Sequence, residues 1–176
     1  MADMQRQSDS LAYVKPQQPA HADAWTSETG QRGGQRLTAV AEAPPPLPVA
    51  EALRLSPGEP AVTRRRVILL DGDVIELADS YYPTAIARGT ALADARKIKG
   101  GAPTALAALG HRAHYVAEDL DLRAASQQEA EALSVAAGST VLSLLRTTVT
   151  ADGSPIEVQH MVMKAPRRLH YEFEVD

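Results

Sequence analysis

The stretch AVTRRRVILLDGDVIELADSYY, residues 61–82, carries two runs of β-branched and aliphatic residues, Ala61 to Leu70 and Val74 to Tyr82. Asp71-Gly72 separates them, and such a pair tolerates the positive φ angles of a tight two-residue turn, so the stretch reads as an antiparallel hairpin. Strand alternation sets Arg64 and Arg66 on one face with Val62, Ile68 and Leu70, while Arg65 joins Val67 and Leu69 on the other. Two guanidinium groups on an otherwise apolar face need anions, because an unpaired buried charge is very costly. An internal ion pair supplies one answer, with Asp79 falling opposite Arg64 or Arg66 according to where the turn centres. A pocket for an anionic ligand supplies the other, since the planar fork of Arg binds carboxylate or phosphate through two donors.

The same arrangement recurs near the C-terminus, where TVLSLLRTTVT (140–150) meets IEVQHMVM (156–163) across Asp152-Gly153. Glu157 stands there between Ile156 and Val158, a carboxylate facing either solvent or a cavity. Helical pieces lie between the hairpins. One runs from Pro103 to Leu109 and is stopped by Gly110; another runs from Gln127 to about Val135, with Ser126 and Glu129 spaced as a capping box. Tyr115 to Arg123 reads as a strand, and Leu169 to Val175 as a closing one. Ahead of the first hairpin, Leu37 to Ala41 reads as a short strand stopped by Pro44-Pro45-Pro46. A helix opened by Pro48 then presents Val49, Ala52 and Leu53 on one face. Strands pair mostly antiparallel, with no βαβ rhythm, and the class is α+β.

The chain has 176 residues, the size of one ordinary domain. Met1 to about Gln35 is polar and poor in aliphatics, so it reads as a tail or linker, and residues 36–176 as the domain. Trp25 is the exception in that tail and reads as a side chain docked on a neighbouring core. With 44% hydrophobic and 4% aromatic residues, the core must be aliphatic. The absence of cysteine excludes disulfides, thiol nucleophiles and cysteine zinc sites, and suits a reducing cytoplasm. No apolar run approaches the ~20 residues that span a bilayer, so no membrane partner is expected. A net charge of −4 gives no long-range pull on phosphate, and direct DNA binding by this chain is not expected.

Signatures of catalysis fail throughout. The sequence lacks G-x-x-x-x-G-K-[ST], G-x-S-x-G, H-E-x-x-H and a calcium loop, and no cofactor is implied. His111 and His114 lack a neighbouring carboxylate ligand and read as surface residues. Gly100-Gly101, ahead of the Pro103 helix, reads as a flexible connector or as backbone N–H groups presented to an anion.

Taken together, RRRVILLDGDVIELADSYYP (64–83), the Gly100-Gly101 pair with TALAALG (104–110), EALSVAAGSTVLSLLRTTVTADGSPIEV (131–158) and the ending LHYEFEV (169–175) resemble the UTRA ligand-sensing domain of GntR-type transcriptional regulators, HutC subfamily. The pieces are individually loose, and their order and spacing are specific. The resemblance implies a chorismate-lyase-like fold, a mainly antiparallel six-stranded sheet flanked by helices. It also implies a small anionic metabolite effector, a homodimer, and DNA contact only through a winged-helix domain that this chain does not contain.

By motif position, the resemblance assigns effector contacts to Arg66, Gly101 and Glu157, with Arg64 on the same strand face. Where the family has a second Arg, this chain has Ile68. An acidic position is Ala78 here, with Glu76 the nearest Glu, and a Tyr position is Met163. Glu76 and Met163 therefore complete the candidate set, and the more apolar wall implies a less polar anionic ligand. Two other functions fit the same resemblance: a lyase-like enzyme on the shared fold, or an orphan dimerisation module that withholds a second DNA-binding arm from a full-length relative. In-frame reading of the DNA upstream of Met1 separates a truncated regulator from an orphan, and turnover of chorismate tests the lyase.

Overall fold

The computed structural model describes residues 14–16, 25 and 29–171. Six strands form one antiparallel sheet in the order β1-β2-β3-β6-β5-β4: β1 Gly33–Ala43, β2 Ala61–Leu70, β3 Asp73–Pro83, β4 Tyr115–Ala124, β5 Thr140–Val149 and β6 Pro155–Lys164. Four short helices, α1 Leu47–Ala52, α2 Thr84–Ala87, α3 Gly101–Ala108 and α4 Gln127–Leu133, lie in the connections. This is the α+β, chorismate-lyase-like architecture expected from the sequence.

Both hairpins form as read. Asp71 and Gly72 have φ of 52° and 89°, the double left-handed turn that matches the twist of two paired strands. The hairpins then lie side by side, with β3 against β6, so the chemistry-bearing strands occupy the middle of the sheet. The edge strands β1 and β4 are the more exposed ones, and Leu120 and Leu122 of β4 are open to solvent.

Each face buries two apolar clusters. On one, α1 brings Val49 and Leu53 onto Ala61, Tyr81 and Val158, and α4 brings Ala130 and Leu133 onto Val141 and Val162. On the other, Val62, Tyr82 and Ile156 pack with Ala87, Leu92 and Leu106, which come from α2, the segment after it and α3. At the far end of that second face, Trp25 docks on Ile68, Ala78, Leu144, Met161 and Met163, as its apolar ring in a polar segment foretells.

Three local readings need correction. The first strand is not short: it starts at Gly33, inside the stretch read as tail, because pairing with β2 offsets its polar composition. α3 starts at Gly101 rather than Pro103, which sits third, where a missing N–H costs no hydrogen bond. Asp79 faces neither Arg64 nor Arg66. A bulge beside Val74 inserts Ile75 and moves the register by one, so that Asp79 lies opposite Arg65 and pairs with it at 3.5 Å. The closing strand read over Leu169 to Val175 falls mostly on residues 172–176, which lie outside those described, and His170 forms an isolated bridge.

Candidate functional site

Between the two clusters of the Trp25 face runs a row of polar side chains, set there by strand register. Arg64 lies opposite Ser80, Ser80 opposite Gln159, and Gln159 opposite Arg146, which in turn lies opposite Glu118. Residues directly opposite in antiparallel strands share a face, so the row crosses β2, β3, β6, β5 and β4. Arg66 and Glu157, two residues from Arg64 and Gln159 on their strands, share this face.

The hydrogen bonds follow the row. Arg66 Nη2 donates to Ser80 Oγ at 2.8 Å, and Gln159 Nε2 reaches Ser80 Oγ and Glu157 Oε1, both at 3.3 Å. Tyr82 donates its hydroxyl to Glu157 Oε1 at 2.6 Å. Arg146 donates through Nη1 to Gln159 Oε1 at 2.9 Å and through Nε to Glu118 Oε1 at 2.5 Å, and Tyr171 donates to Glu118 Oε2 at 2.7 Å. Glu157 is only 2% exposed, so its carboxylate faces the interior, not solvent. Burial, and then the adjacent Glu157 carboxylate, push the Tyr82 hydroxyl well above the usual tyrosine pKa, keeping it a donor.

Charge along the row is uneven. Arg146 and Glu118 form a buried ion pair. Among the described residues neither Arg64 nor Arg66 makes an ion pair, which leaves two guanidinium groups against the single carboxylate of Glu157. Two buried atoms in the row also lack a hydrogen-bond partner: Arg66 Nε, and Oγ1 of Thr148, which lies opposite Glu157. Buried polar atoms are nearly always paired, so these two stand out in the network.

The structure thus brings Arg64, Arg66 and Glu157 together. It does not bring Glu76, Met163 or Gly101 into the row. Glu76 sits four residues before Ser80, about 13 Å along β3, and pairs with Arg167 at 3.6 Å. Met163, opposite Glu76, packs in the Trp25 cluster. Gly101, at φ of 80°, donates its backbone N–H to the carbonyl of Ile98 at 3.0 Å, so that donor is already engaged. The sequence reading overlooked Ser80, Tyr82, Arg146, Thr148 and Gln159. For the last three the signal lay in the second hairpin, where pairing Arg146 with Gln159 and Thr148 with Glu157 follows from the turn. Among the described residues, no group of His, Asp and Glu side chains converges as a metal site, and no helix is long and apolar enough to cross a membrane.

Known proteins share this architecture. The UTRA domain profile matches residues 28–167. An HTH-type transcriptional regulator of Streptomyces coelicolor is 28% identical over 174 residues, which is 97% of this chain and 62% of that protein. The chain therefore spans less than two thirds of that relative. A structure described as a ligand-binding domain of a GntR-family transcriptional regulator from Bordetella bronchiseptica superposes with a TM-score of 0.65 at 25% identity, covering 82% of this chain and 91% of that one. The effector domain of PhnF from Mycobacterium smegmatis shares the fold with a TM-score of 0.70 at 17% identity, over 92% of this chain and 99% of that one.

Proposed function

The chain belongs to the UTRA domain family, and from that premise we propose that it is the effector-sensing domain of a GntR-type, HutC-subfamily transcriptional regulator. It binds a small anionic metabolite on the Arg66–Glu157 row and carries out no turnover. It works in the cytoplasm as a homodimer, and DNA is contacted by a winged-helix domain rather than by the sheet. The observation that carries this reading is Arg66: a guanidinium with an unpaired Nε and no carboxylate partner among the described residues, linked to buried Glu157 through Ser80 and Gln159. An anionic group on the effector meets Arg66, while hydroxyl donors on the same molecule suit Glu157 and Thr148. Ligand binding then shifts the balance between dimer arrangements with different DNA affinity.

Thermal-shift measurements with small organic acids and phosphorylated metabolites test the proposal. A raised melting temperature with one chemical class supports it. Consumption of chorismate by the purified chain would overturn it in favour of a lyase.

A further inference from the structure

Arg64 was grouped with Arg66 as an effector contact, yet its guanidinium is already occupied. Nη1 donates to the carbonyls of Ala91 and Leu92 at 3.3 and 3.1 Å and also to that of Asp94, and Nη2 donates to the carbonyl of Arg96 at 2.8 Å. Four carbonyls of one irregular segment thus converge on one side chain that is 5% exposed. That segment joins α2 to α3, and Leu92, fully buried, plugs it into the cluster with Val62, Tyr82 and Leu106. Its own hydrogen bonds are few and local: Ala93 to the Thr90 carbonyl at 3.1 Å, Asp94 to the Ala91 carbonyl at 3.4 Å, and Leu92 to the Thr90 hydroxyl at 3.2 Å. A run of backbone with so little internal bonding is shaped by what holds it from outside.

We propose that Arg64 is a positioning residue of the effector site: it clasps segment 91–96 over the sheet as the wall beside the ligand row, and leaves Arg66 as the single guanidinium that meets the effector's anionic group. This rests on the effector-sensing reading above. Only arginine suits the task, because its planar fork spreads five donors over several acceptors, whereas the lysine ammonium concentrates three on one atom. Spent on carbonyls, Arg64 keeps its full charge, so it adds positive potential to the row without touching the ligand. Arg66, with Ser80 as its one hydrogen-bond partner among the described residues and Nε unpaired, keeps donors for an incoming oxyanion.

Two measurements on the full chain separate the roles. Hydrogen exchange of the 91–96 amides should quicken at least tenfold in Arg64→Lys, with the amides of β5 and β6 unchanged. Equal exchange in wild type and variant would overturn the clasp. Nitrogen-15 spectra of wild-type arginine side chains, titrated with inorganic phosphate, need no variant to fold. The Arg66 Nε–H signal should shift saturably, while the Arg64 Nη–H signals, slowed by the clasp, stay in place. A shift at Arg64 would overturn its assignment as a positioning residue. Absence of a shift at Arg66 would count against the anionic-effector reading instead, and the exchange result still decides Arg64.

Discussion

Arg64 and Arg66 stand two residues apart on one face of β2 and do different work, because one meets backbone and the other meets a row of side chains. Alternation alone places both on that face, so their sharing one face of β2 was legible. What each guanidinium touches was not, since Arg64 reaches carbonyls about 30 residues along the chain, a contact set by how segment 88–100 folds back. Glu157 shows the same limit. Its neighbours in sequence are apolar and it reads equally as a solvated strand residue, whereas the tertiary fold buries it under the Tyr82 hydroxyl. Tyr82→Phe should therefore destabilise the chain by about 1.5–3 kcal/mol, the usual range for a hydrogen bond to a charged group. Urea unfolding at neutral pH checks this, with an unchanged midpoint counting against the burial of that charge.

At the scale of elements, α4 is the piece most completely written in the sequence. Ser126 accepts from the Glu129 backbone N–H, the Glu129 carboxylate accepts from the Ser126 N–H, and Arg123 of β4 binds both Glu129 oxygens at 2.7 Å. Removing the cap with Ser126→Ala should cost about 1 kcal/mol in denaturant unfolding. Glu129 adds a pH dependence. The Arg123 hydrogen bonds, reinforced by the cap, hold its pKa down at about 2. A carboxylate whose folded pKa lies below its unfolded value stabilises fully above that unfolded value, and the contribution disappears as pH falls toward 2. Glu129→Gln should then unfold earlier than wild type at pH 7, and the gap should narrow steadily below about pH 4.5. A gap that is constant with pH would contradict the ion pair. The strands were less legible than this helix. Val74-Ile75-Glu76 reads as unbroken alternation, and nothing in it announces the bulge that moves Asp79 from the Arg64 or Arg66 position to Arg65. β1 was underestimated because an edge strand needs only one buried flank, and Gly33 to Arg36 supply hydrogen-bonding backbone where apolar side chains were sought.

For the whole molecule, the proposed sensing role and the acidic net charge of −4 set two expectations. The purified chain should sediment as a dimer at tens of micromolar and retain no duplex DNA sequence-specifically at moderate salt. A strictly monomeric chain would remove the dimer from the account, and specific retention would relocate the DNA contact to this sheet. The central claim is that the Arg66–Glu157 row is where an anionic effector is held, and the sharpest test is calorimetric titration of the best stabilising compound into wild type and Arg66→Ala. Arg66 pairs with no carboxylate among the described residues, so the variant should keep a melting temperature close to wild type. Its affinity should fall by about 1.5–3 kcal/mol, roughly tenfold to a hundredfold, for the loss of a charge-assisted hydrogen bond. Equal affinity in both proteins would contradict the account.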